Sequence, residues 1–181
     1  SEDTLTFNPE KSLRYANDAL SLSEKIHHPR GIAYSLVNIG SALRVLGKYE
    51  KSLDYFFRAL KEYEQLQNKR GVARCYSKIG IVYYFRGNYE KTIDYYSQSL
   101  HVFEEMNDSG AVAATLNNIG LIYSEQKNYS KELEYYSRAL KIAQAKKNKP
   151  IIASVLNSMG SAYFAMKDYK NAAEHVRQSL S

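Results

Sequence analysis

The sequence contains no tryptophan and only one cysteine among its 181 residues. The single cysteine, Cys75, excludes an intrachain disulfide and fits a reducing compartment. No apolar run approaches the ~20 residues that a membrane-spanning helix needs, and no signal peptide is visible. We therefore expect no membrane insertion. A cytoplasmic location is favoured, and an exported fragment whose signal has been removed stays open.

Residues that could carry catalysis are also sparse. The four histidines are scattered, and the adjacent pair His27-His28 lies in a predicted loop without a helical metal-binding spacing. Cys75 takes a helix-packing position, where an inert buried thiol is expected. No glycine-rich phosphate-binding loop is present. The sequence therefore predicts neither an enzyme nor a cofactor or metal site.

The most regular feature of the chain is a period of 40 residues. Three residue types return at this interval: Gly40, Gly80, Gly120 and Gly160; Tyr49, Tyr89, Tyr129 and Tyr169; Leu60, Leu100, Leu140 and Leu180. A fixed period of this size predicts a repeat architecture. The acidic series Asp54, Asp94, Glu134 and Glu174 follows the same period, and it is expected to form a solvated outer stripe.

Each period contains two helical patterns. Apolar residues recur at helical spacing over about 31–46 and again over about 50–67, which predicts a helical hairpin. Gly47 and Gly87 are expected to supply the left-handed residue of the turn between the two helices. In the later copies Asn128 and Asp168 are expected to take that conformation. One hairpin cannot bury both faces, so neighbouring hairpins must stack.

These residues resemble a tetratricopeptide repeat (TPR) array. The pattern is carried by Leu36, Ile39-Gly40, Leu43, Ser52, Phe56 and Ala59, and by their counterparts Tyr76, Ile79-Gly80, Tyr83, Thr92, Tyr96 and Ser99; Leu116, Ile119-Gly120, Tyr123, Glu132, Tyr136 and Ala139; Leu156, Met159-Gly160, Tyr163, Ala172, Val176 and Ser179. The resemblance implies an all-α superhelical solenoid of stacked antiparallel hairpins.

Two differences from the common tetratricopeptide repeat indicate which members of the family this sequence resembles most. The period is 40 residues, not the usual length of about 34, and the closing proline is missing. This longer form is similar to the repeats of kinesin light chain and of Leu-Gly-Asn repeat proteins. It also resembles the TPR arrays of bacterial sensor kinases and regulators.

We predict a single array over residues 1–181. Residues 1–30 would form a loosely held lead-in and the second helix of a partial repeat. Repeats then follow at 31–70, 71–110 and 111–150, with an incomplete repeat at 151–181. We expect further repeats or an effector domain downstream, or alternatively ends that stack on another copy and form a homo-oligomer.

The candidate site lies on the first helix of each repeat, where residues vary between copies. The candidates are Asn38, Arg44, Arg74, Lys78, Tyr84, Asn117, Asn118, Leu121, Asn157 and Phe164. A side-chain amide both donates and accepts hydrogen bonds, so it can pair with a peptide backbone of any sequence. The resemblance implies this role for the four asparagines. For Asn38 and Asn118, a bond to a neighbouring helix end is an open alternative.

The function hypotheses follow from this surface. The first is a non-catalytic scaffold that binds a protein or peptide partner in a concave groove. The second is the sensing or dimerisation arm of a bacterial signal-transduction protein. Arg44, Arg74 and Lys78 could receive a carboxylate of an acidic or C-terminal peptide. Nucleic-acid binding, prompted by the charge of +6 and the 17 tyrosines, is disfavoured because the lysines are scattered and most tyrosines fall on packing stripes.

Overall fold

The computed structural model describes residues 8–180, and within that range the chain forms nine helices and no strand. The helices are α1 (Pro9–Lys25), α2 (Pro29–Val45), α3 (Tyr49–Gln65), α4 (Lys69–Phe85), α5 (Tyr89–Glu105), α6 (Ser109–Glu125), α7 (Tyr129–Ala145), α8 (Lys149–Ala165) and α9 (Tyr169–Ser179). The predicted all-α class is confirmed. Most of the predicted lead-in, residues 1–7, lies outside the described residues. No helix within residues 8–180 is long and apolar enough to cross a bilayer.

The helices begin every 20 residues, so each 40-residue period holds two helices, and α1 to α8 each span 17 residues. We call α2, α4, α6 and α8 the first helices, and α1, α3, α5, α7 and α9 the second helices. The first helices begin two residues earlier than the apolar pattern predicts, because the opening turn carries Pro29 and Pro150 or polar residues. A proline fits the first turn, where its missing N–H would be unpaired anyway.

Every connection between the helices has the same backbone conformation. One residue in each has positive φ: His27, Gly47, Gln67, Gly87, Asn107, Lys127, Lys147 and Lys167. Gly47 and Gly87 are therefore confirmed as the left-handed residues of their turns. The expectation for Asn128 and Asp168 is wrong, because Lys127 and Lys167 take that conformation. Asn128 and Asp168 instead accept a hydrogen bond from a backbone N–H of the first turn, and that N-cap role requires a residue outside the left-handed region.

Close packing within each hairpin depends on the repeated glycine. A Cβ added to Gly40 would lie 2.8 Å from Cε1 of Phe56, and one added to Gly160 would lie 2.7 Å from Cγ2 of Val176. The Ser52 hydroxyl donates a hydrogen bond of 2.7 Å to the Gly40 carbonyl from the opposite helix. The glycine thus lets the second helix approach the first at the centre of the core.

The chain divides into two compact units, residues 1–92 and 93–181. In unit 1, α2 packs against α1 and α3, α3 packs against α4, and α4 also reaches α2. In unit 2, α6 packs against α7, α7 against α8 and α8 against α9, and α6 also reaches α8. In each unit the first helices are therefore neighbours, which places their variable residues on adjacent elements.

Candidate functional site

A cavity of about 200 Å³ lies in unit 1, bounded by α2, the C-terminal end of α3 and the N-terminal half of α4. Its lining residues are Tyr34, Val37, Asn38, Ser41, Tyr63, Asn68, Arg70, Gly71, Arg74 and Lys78. Three predicted site residues, Asn38, Arg74 and Lys78, thus share one cavity. Asn38 is exposed on α2, and Lys78 is half-buried on α4.

The charged residues that line this cavity are all positive. Burial lowers the pKa of Lys78, and the charges of Arg44 and Arg74 lower it further. Arg44 is itself half-buried, and its Nε is buried without a hydrogen-bond partner. Arg44 and Arg74 therefore both lie close enough to Lys78 to act on its charge.

Aromatic rings continue this surface at the end of α4. The guanidinium carbon of Arg44 lies 5.3 Å from the ring centre of Phe85, which is half exposed. Phe85 also stacks on Tyr49 at 6.3 Å and meets the edge of Tyr84 at 5.5 Å. Tyr84, a predicted anchor, is half-buried among these rings rather than freely exposed.

In unit 2 the predicted residues lie on α6 and α8. Asn117 and Asn118 are half-buried, Leu121 is 44% exposed, and Asn157 is exposed. The Oδ1 atom of Asn117 is buried without a hydrogen-bond partner. A buried amide oxygen with no partner leaves its desolvation uncompensated, so Asn117 is poised to accept a hydrogen bond from an added group.

Phe164 occupies a different environment from the asparagines. It is 64% exposed and meets the edge of Tyr169 at 5.5 Å. Both rings line an apolar cavity of about 490 Å³ together with Gly160, Ser161, Ala172, Ala173 and Val176. None of the predicted asparagines lines this cavity, which lies between α8 and α9.

Sequence reasoning missed the part of the unit 1 cavity that comes from outside the first-helix stripe. Tyr63 belongs to the end of α3, while Asn68 and Arg70 flank the start of α4. The Oδ1 atom of Asn68 accepts a hydrogen bond of 2.9 Å from the N–H of Gly71. Asn68 does recur as Asp108 and Asn148 in the next two periods, but that pattern predicts a turn and gives no sign of a cavity wall.

A buried carboxyl group in unit 2 was also missed. Glu132 on α7 is 1% exposed, and its Oε2 has no hydrogen-bond partner. Burial raises the pKa of Glu132, although hydrogen bonds from Ser124 and Tyr136 act against that shift. The available signal was an acidic residue at the small-residue position taken by Ser52, Thr92 and Ala172 in the other copies.

The cysteine and the histidine discussed above have positions that structural roles explain. Cys75 is fully buried, and burial raises the pKa of its thiol to about 12, which keeps it protonated. His28 accepts a hydrogen bond of 2.9 Å from the N–H of Gly31 through Nδ1, as an N-cap. Within residues 8–180 no group of three or more potential ligands could hold a metal ion. The periodic acidic series Asp54, Asp94, Glu134 and Glu174 is exposed as predicted.

Comparison with known proteins identifies the repeat. The family model described as tetratricopeptide repeat matches residues 30–105, 71–145 and 111–181. No protein with a curated description matches the sequence significantly.

Solved structures share the fold at low sequence identity. BtubC (BKLC) from P. vanneervenii is 19% identical with a TM-score of 0.83, covering 96% of this chain and 73% of its own. Aspartyl phosphate phosphatase F from Bacillus subtilis is 16% identical with a TM-score of 0.85, covering 93% and 44%. The Rap conjugation gene regulator of plasmid pLS20, solved with the Phr* peptide, is 14% identical with a TM-score of 0.72, covering 87% and 44%. The chain therefore spans less than half the length of the last two proteins.

Proposed function

The chain belongs to the tetratricopeptide repeat family, and on that premise we propose that it is a non-catalytic scaffold that binds a peptide segment of a partner protein. The segment would lie along the exposed side of the first helices within one unit, in contact with α2 and α4 in unit 1 or with α6 and α8 in unit 2. The observation that carries the proposal is the shared cavity of Asn38, Arg74 and Lys78. Residues that vary between the repeats converge there, while the packing residues stay constant.

Polar groups without internal partners support this proposal. The buried Oδ1 of Asn117 and the buried Nε of Arg44 have no hydrogen-bond partner, and a peptide backbone offers donors and acceptors for such atoms. Leu121 and Phe164 are exposed apolar side chains on first helices of unit 2, and they could serve as anchors. The Rap regulator of similar fold was solved with a peptide, which is consistent with this mode of binding.

The test begins with selection of binders from a random peptide library displayed on phage, using the full 181-residue chain as the target. Peptides that bind are then titrated against a variant that carries Asn117→Ala and Asn157→Ala together. Loss of one charge-free hydrogen bond costs about 1 kcal/mol, so we expect the affinity to fall about tenfold or more for the pair.

The matched control is Asn171→Ala, because Asn171 lies on α9, a second helix, and its side chain donates a hydrogen bond to Asp168. Its affinity for the peptide should equal that of the wild type. Undiminished binding by the double variant, with unchanged helicity in circular dichroism, would show that the asparagines do not hold the ligand.

A regulatory arm is the second candidate. It is favoured by the likeness in fold to a conjugation gene regulator. In this reading the bound peptide would be a signal, and an output domain elsewhere in the full-length protein would respond to it. The full-length gene decides between the two, since a gene that encodes no output domain would count against the regulatory reading.

A further inference from the structure

We infer that the cavity between α2 and α4 is an anion subsite, in which Arg74 and Lys78 receive a carboxylate or phosphate group of the bound segment. This inference rests on the proposed function, because it names the chemistry of the ligand at the same surface. It predicts that ligands of unit 1 carry a negative charge at one defined position.

The composition of the cavity is the first argument. Three of its ten lining residues, Arg70, Arg74 and Lys78, are cationic, and none is acidic. The remaining polar groups include the Tyr34 and Tyr63 hydroxyls and the amides of Asn38 and Asn68. Hydroxyl and amide groups can donate to anionic oxygens, and charge-assisted bonds of this kind are stronger than neutral ones.

The mutual repulsion of the cations is the second argument. Lys78 is half-buried on α4, and burial together with the positive charges of Arg44 and Arg74 lowers its pKa. Carboxylates do not contribute to that shift. An anion placed beside Arg74 and Lys78 would offset the repulsion and raise the pKa of Lys78.

The third argument is that the repeat does not require these charges. Two periods further on, the positions of Arg44, Arg74 and Lys78 are taken by Ser124, Ser154 and Ser158. The same helices form there without a positive charge at these three positions. The cluster is therefore a property of unit 1 and not a consequence of hairpin packing.

The orientation of Arg44 is the fourth argument. Its guanidinium lies over the ring of Phe85, 5.3 Å from the centroid, which holds the side chain without neutralising it. The ion pair of 3.2 Å that Glu50 forms in the same unit is with a different arginine, Arg86. Arg44 does not line the cavity itself, and its charge acts on the site through Lys78, whose pKa it lowers.

The experiment is a titration of the ¹⁵N-labelled full chain followed by backbone amide shifts. Four probes are used: a capped tetrapeptide amide with two central glutamates, the same peptide with glutamines, the glutamine peptide with a free C-terminal carboxylate, and inorganic phosphate. We expect anionic probes to shift the amides of Arg74 and Lys78, and the neutral peptide to leave them in place. The three anionic probes distinguish a side-chain carboxylate, a terminal carboxylate and a phosphate as the source of the charge.

The variant for this experiment is Lys78→Gln, and the control is Lys61→Gln, which removes an equal charge from the exposed surface of α3 in the same unit. We expect Lys78→Gln to weaken binding of the preferred anion about tenfold and Lys61→Gln to leave it unchanged. In ¹³C spectra, the pKa of the Lys78 amine should rise when the anion binds. If Lys78 served only to stabilise its helix, its pKa would not change when the anion is added.

Two results would overturn the inference. One is the absence of shifts at Arg74 and Lys78 with every anionic probe, and the other is equal weakening by both variants. The outcome is separable from that of the proposed function. Library peptides that bind wild type and Lys78→Gln equally well would refute the anion subsite alone, whereas anion binding without any peptide binder would refute the scaffold alone.

Discussion

Glu132 places a carboxyl group in the core of unit 2, where the other copies of the repeat carry serine, threonine or alanine. Burial raises the pKa of this group in the folded chain above its value in the unfolded chain. The folded state therefore binds the proton more tightly than the unfolded state does. Stability from this source is fully present below the unfolded pKa of about 4.3 and is lost as the pH rises through the folded pKa.

We expect Glu132→Gln to remove this pH dependence. The amide keeps the size of the side chain and cannot ionise, so the variant should gain stability over the wild type at neutral pH and lose that advantage near pH 4. Urea unfolding followed by circular dichroism at several pH values measures the difference. Glu134→Gln, an exposed change on the same helix, should leave the pH profile as it is. Parallel profiles for wild type and Glu132→Gln would contradict the account.

The site residues show how far sequence reasoning reaches at this scale. Helical spacing was enough to place Asn38, Arg74 and Lys78 on one surface, because a stripe on a helix fixes direction. It could not reveal that the Oδ1 of Asn117 is buried without a partner. The burial of that atom depends on side chains from neighbouring helices, and the residues adjacent to Asn117 in the sequence do not reveal where those side chains lie.

At the scale of the helix, the N-cap of α3 differs from the N-caps of the other described helices. All of the described helices except α3 begin with a side chain that accepts a hydrogen bond from the first turn, for example Asn8, Asn68 and Asn128. The N-cap of α3 is Lys48, which makes no such bond. An ammonium group can only donate hydrogen bonds, so the first turn of α3 keeps an unpaired N–H.

Lys48→Asn should therefore stabilise the chain by about 1 kcal/mol, the usual contribution of an N-cap. Thermal and urea unfolding measure this gain. Lys48→Gln serves as the control, because it removes the charge but offers no short side chain for the cap. Equal stabilisation by both substitutions would assign the gain to charge rather than to capping.

The helices themselves were predictable, and their ends were less so. Apolar periodicity located every helical pair because packing positions such as Gly40 and Phe56 repeat with the fold. The turns combine two adjacent residues with different conformations, and Asn or Asp is acceptable at either position. The assignment of Lys127 to the left-handed position and of Asn128 to the cap rests on the hydrogen bond from Lys131 to Asn128, which only the structure shows.

At the scale of the whole molecule, the recorded packing within each unit joins helices that are adjacent or next-but-one in the chain. Stability in such a chain is a sum of local terms, so damage should stay local. Gly40→Ala is a suitable perturbation, because the added Cβ would meet the Phe56 ring at 2.8 Å. Overpacking of this kind costs about 1–3 kcal/mol.

We expect native-state hydrogen exchange of the Gly40→Ala variant to show faster opening in α1–α4, with a smaller change in α6–α9. Gly47→Ala is the comparison, since its Cβ meets nothing within 4 Å and its cost comes only from a φ of 71°. Uniform loss of protection along the chain would mean that the two units unfold as one cooperative body.

The uniform connections carry a consequence for how such a chain can change in length. Each joins two helices through residues of the same conformation, with one left-handed residue every 20 positions. A block of 40 residues copied in tandem would meet its neighbour through a turn that already exists in the sequence. Gene duplication could therefore lengthen the proposed binding surface one hairpin at a time, with substitutions on the first helix alone altering its chemistry.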